Sequence, residues 1–81
     1  MKTIVLAALL AVLLALPAVA AQCPADMAAI DAALAGGPDL TAEQLAEVER
    51  LRTEGEVLHE AGDHQGSVDA LAEAKAILGI E

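Results

Sequence analysis

Between Pro24 and the C-terminus, apolar residues recur every three or four positions and fall into three groups. Met27, Ile30 and Leu34 share one face of a first helix. Leu45, Val48, Leu51 and Leu58 mark a second, and Val68, Leu71, Ala74, Ile77 and Leu78 a third. This period belongs to amphipathic helices, so the fold class is all-α. The breakers agree with it. Gly36-Gly37-Pro38 ends the first helix by allowing a left-handed cap and then forbidding continuation. Thr41 and Gln44 have the spacing of a capping box for the second, with Leu40 and Leu45 as its hydrophobic staple. Gly62 closes the second helix, and Asp63 is the N-cap of the third, which Gly79 ends. The expectation is a small three-helix bundle with helices over 24–35, 42–61 and 64–78. Its core candidates also include Leu40, Val57 and Ile80. Connections this short make consecutive helices antiparallel.

Ahead of this pattern the chain changes character. Lys2 carries one positive charge, residues 4–16 are all apolar, and Pro17 is followed by Ala18-Val19-Ala20-Ala21. Charge, apolar run, helix breaker and small residues are the order of a secretory signal peptide. Residues 1–20 read as a leader cut after Ala20, or alternatively after Ala21, leaving 21–81 as the mature helical domain. A membrane anchor needs about 20 unbroken apolar residues, and Pro17 interrupts this stretch. Gln22 stands where a lipidation signal wants a small residue before Cys23. The expected location is therefore outside the cytoplasm, periplasmic or secreted, with no membrane anchor after cleavage. In an oxidising compartment the single cysteine, near the new N-terminus, offers a disulfide between two chains.

Composition narrows the function. The mature chain keeps three bases, Arg50, Arg52 and Lys75, against thirteen acids. That charge is wrong for nucleic acid, whose phosphates require a basic face. It suits a cationic partner, or simply solubility. The chain has no Phe, Tyr or Trp, so its core lacks the large area that rings bury. A domain of some sixty residues is a poor host for a catalytic cleft.

Residues 48–81 resemble one tetratricopeptide repeat, a pair of antiparallel helices in 34 residues. Leu51 stands at the family's first large apolar position, Gly55 at the small residue of its first helix, and Leu58 at the aromatic that follows. Gly62 matches the turn glycine, His64 stands where an aromatic is usual, and Leu71 and Ala74 match the large and small residues of the second helix. Glu54, Ser67 and Gly79 depart from the usual leucine, alanine and proline. The resemblance implies protein or peptide binding rather than catalysis. It also implies a need for neighbours, because about three such repeats normally stack. Helix 24–35 or self-association would supply them.

Candidate chemistry is sparse. His59-Glu60-Ala61-Gly62-Asp63-His64 supplies ligand types, but the second histidine stands one residue too late for a zinc-protease helix, and Gly62 breaks the helix between. A turn still brings His59, Asp63 and His64 within range of one ion, with Cys23 as a further donor. The plainer reading gives His59 to the helix C-terminus and His64 to packing. Ser67 and Cys23 are the available nucleophiles, and neither has a base beside it in the sequence. The sequence thus predicts a non-catalytic exported interaction module with no cofactor, no catalytic residue and no metal ligand. Its partner would be an unidentified protein or peptide. The alternative is a periplasmic metal-binding protein using His59, Asp63 and His64.

Overall fold

Thr41 begins the central helix as its side chain predicts. Its Oγ1 accepts from the Gln44 amide at 3.1 Å, and Gln44 Oε1 accepts from the Thr41 amide at 3.0 Å. A cap of this kind is worth about 1 kcal/mol. In a computed structural model describing residues 17–81, the chain forms three helices: α1, Pro17–Ala35; α2, Ala42–Glu60; and α3, His64–Leu78. Residues 1–16, with Lys2 and the apolar run, lie outside the described residues. Gly37, Gly62 and Gly79 all take positive φ, the conformation each helix end demands. Among the described residues, no helix is long and apolar enough to cross a membrane.

The first helix is longer than its pattern suggests. It is already helical at Pro17, the first described residue, and runs straight through Pro24. Ala18, Ala20 and Ala21 favour helix strongly, while a proline inside a helix forfeits one backbone bond. Asp26 therefore lies in the interior of α1. It is buried, and its carboxylate meets Lys75 Nζ of α3 at 3.0 Å.

Cross-helix pairs fix the directions. Cys23 meets His59, while Asp31 pairs with Arg52 at 3.0 Å, so α2 numbers fall as α1 numbers rise. Ser67 meets Gly55 while His64 meets His59, which makes α2 and α3 antiparallel as well. The bundle runs up, down, up, and α1 lies more closely on α3 than on α2.

Gly55 explains how α2 and α3 come so close. A Cβ there would stand 2.6 Å from Leu71 Cδ2 and Cγ, and Leu71 is fully buried. Ser67 is buried in the same contact and donates from Oγ to the Gly55 carbonyl at 2.6 Å, a structural role. The core is Cys23, Ile30, Val48, Leu51, Leu71 and Ala74, flanked by half-buried Met27, Leu34, Leu40, Val68, Ile77 and Leu78. Val57 is a correction. It is 58% exposed, because it stands two places from Gly55, on the side of α2 turned away from α3.

On the surface, Arg50 pairs with both Glu47 and Glu54, and Arg52 with both Asp31 and Glu56. The hydrogen bond from Arg52 holds the Asp31 carboxyl below its ordinary range. Because this lowered group is exposed, the pair contributes under about 1 kcal/mol. That contribution is present at neutral pH and lost as acid protonates Asp31.

Candidate metal centre

The turn between α2 and α3 is built by backbone bonds. Ala61 N–H donates to Val57 O at 3.0 Å, Gly62 N–H to His59 O at 3.1 Å, and Asp63 N–H to Leu58 O at 2.9 Å. Gly62, at φ 87°, makes this possible. Asp63 then caps α3, its Oδ1 accepting from the Gly66 amide at 3.0 Å. These contacts leave only three residues between the helices. They set His59, in the last turn of α2, against His64, the first residue of α3.

The two imidazoles face each other. Their Nδ1 atoms are 3.1 Å apart, and the ring centroids are 4.9 Å apart at an interplanar angle of 57°. At that distance the two nitrogens are within hydrogen-bond reach, the donor being set by the tautomer of each ring. Cys23 of α1 completes the cluster from 41 residues away, its Sγ–H directed at the His64 carbonyl at 3.6 Å. One donor atom from each of Cys23, His59 and His64 lies within 4.8 Å of the other two. The sulfur is fully buried and both imidazoles are half-buried.

These separations approach those of a bound ion. Metal–nitrogen bonds of about 2.0–2.1 Å and metal–sulfur bonds of about 2.3 Å place donors roughly 3.4–3.8 Å apart in tetrahedral or trigonal geometry. The histidine nitrogens are already slightly closer than that, and no donor need travel more than about 1.5 Å.

Two expectations change. Asp63 does not join the ligand set, because its carboxylate is engaged at the N-terminus of α3. Cys23, which has no base beside it in the sequence, meets two histidines in the fold. It is a core residue of α1 with its sulfur within 4.8 Å of a nitrogen of each ring. A sulfur with 0% exposure reaches a second chain only if the N-terminal part of α1 lifts from the bundle. A signal for Cys23 does exist in the sequence. Cys23, Met27, Ile30 and Leu34 form one stripe at intervals of four, three and four, and starting the helix at Pro24 hides its first member.

A family model matches residues 21–81, which hold the whole cluster. The chain belongs to the PA14_33160 family. The family segment takes in α1 from Ala21 onward, all of α2 and α3, the Thr41 cap and the Asp63 turn. No curated protein and no solved structure matches the chain.

Proposed function

We propose that this chain is an exported, non-catalytic helical protein that binds one metal ion through Cys23, His59 and His64. The observation that carries this is the convergence of three metal-ligating side chains, from three helices, with donor atoms within 4.8 Å of one another. Imidazole and thiolate together are ligands for zinc and copper rather than for calcium or magnesium. Export is supported by the leader-like order of residues 1–20 and by a family segment that begins at Ala21, where that leader would end. It is also consistent with Pro24. In a chain cut after Ala20, Pro24 falls in the first helical turn, where its missing N–H costs nothing. Cys23 would then be the third residue of the mature protein and would stay with the cluster.

Equilibrium dialysis against zinc or copper tests the reading. One ion per chain is expected, with binding lost in the His59→Ala plus His64→Ala variant. No stoichiometric binding by the native chain would overturn it.

A second reading is favoured by the packing of Gly55 and Ser67 against Leu71. These residues stand at the positions where the resemblance to a tetratricopeptide hairpin places its small and large residues. On that reading the hairpin is an interaction module for a protein or peptide, and the excess of acids suits a cationic partner. α1 occupies the place of a neighbouring repeat. Sedimentation over a range of concentrations tests whether a second copy is also needed. A concentration-independent monomer would show that three helices suffice.

A further inference from the structure

Resting on the metal-binding function proposed above, we infer that the centre is built for a monovalent soft cation, copper(I), held by three ligands. Three observations bear on the choice. The first is the number of donors: among the described residues, the group contains one cysteine and two histidines and no carboxylate. A thiolate suits copper(I) and zinc alike, but structural zinc sites are almost always closed by four protein ligands, and here there are three.

The second is charge. The sulfur is fully buried, and burying net charge is expensive. One thiolate and one copper(I) cancel, and two neutral imidazoles add nothing. Zinc would leave one positive charge in the same place.

The third is the state of the Asp63 carboxylate, beside His64 in the sequence. Asp63 would be the natural fourth ligand and the neutralising charge for zinc. It is held instead by the Gly66 amide at 3.0 Å, and releasing it would uncap α3. On binding, the Cys23 thiol gives up its proton to solvent as the sulfur–copper bond forms. Where a coordinating imidazole nitrogen carries the ring's proton, that proton moves to the far nitrogen of the same ring, so both imidazoles stay neutral. No oxidation or reduction is involved.

The approach is from the histidine side, since both rings are half-buried and the sulfur is covered. An ion therefore meets the imidazoles first and the thiolate last.

The test is a competition on the full chain. Copper(I), kept reduced with ascorbate and buffered by a chromogenic copper(I) chelator, is titrated alongside zinc(II) buffered by a zinc indicator. Silver(I) serves as a redox-inert monovalent probe. Copper(I) and silver(I) are expected to bind one per chain, more tightly than zinc. Cys23→Ser is expected to weaken copper(I) binding about 100-fold or more, given that partners outside the ligand shell alone are worth 10–100-fold. Asp63→Asn is expected to leave copper(I) affinity within a few-fold. Circular dichroism of each variant separates a lost ligand from a lost fold. Tighter zinc binding, weakened by Asp63→Asn, would overturn the monovalent assignment while leaving the metal function standing. Binding of none of the three ions would overturn both.

Discussion

Leu71→Asp should abolish cooperative folding. Leu71 is fully buried on the inner face of α3, and its branched end fills the space left by Gly55 on α2. The substitution removes that packing and puts a carboxylate into the core, where the cation four residues on, Lys75, is already paired with Asp26. Burying an unpartnered charge, added to the loss of a core leucine, exceeds about 4–5 kcal/mol. A domain of some sixty residues has only about 3–9 kcal/mol in all. Glu73→Lys, two residues away and exposed, should change stability by less than about 0.5 kcal/mol. Thermal denaturation followed by circular dichroism distinguishes the two. A cooperative melt retained by Leu71→Asp would mean that α3 presents another face to the bundle.

Metal should stabilise the fold strongly. The three ligands come from α1, the end of α2 and the start of α3, so an ion ties together all three helices. An ion that binds only the folded chain, present at 100 times its dissociation constant, adds about 2.7 kcal/mol. A domain of this size moves about 4–8 °C per kcal/mol, so the melting temperature should rise by roughly 10–20 °C. Cys23→Ala should lower the metal-free melting temperature modestly, because it empties part of the core, and should remove most of the rise. A rise of equal size in that variant would place the ion elsewhere.

The fold was largely legible because its local signals agree. Thr41 with Gln44, Gly62 with Asp63, and Gly79 each fixed a helix end that the structure reproduces. The apolar stripe gave the inner faces of α2 and α3 apart from Val57. It fell short where propensity outweighed a breaker, since the alanines before Pro24 carry α1 back to Pro17. The cluster was half legible. The turn at 61–63 brings His59 and His64 together through local backbone chemistry, which a sequence records. Cys23 comes from 41 residues away, and its approach depends on how α1 lies across the hairpin. Asp63 looked like a ligand because its side chain suits metal and helix cap equally well. Only the folded backbone shows the cap to be its partner.

The account rests on one sulfur and two imidazole nitrogens meeting at a single ion. X-ray absorption at the metal edge of the loaded full chain reads those neighbours directly. It should show one sulfur at about 2.3 Å and two nitrogens at about 2.0–2.1 Å, with multiple scattering from two imidazole rings. A shell of oxygens, or nitrogens without sulfur, would contradict a centre built on Cys23.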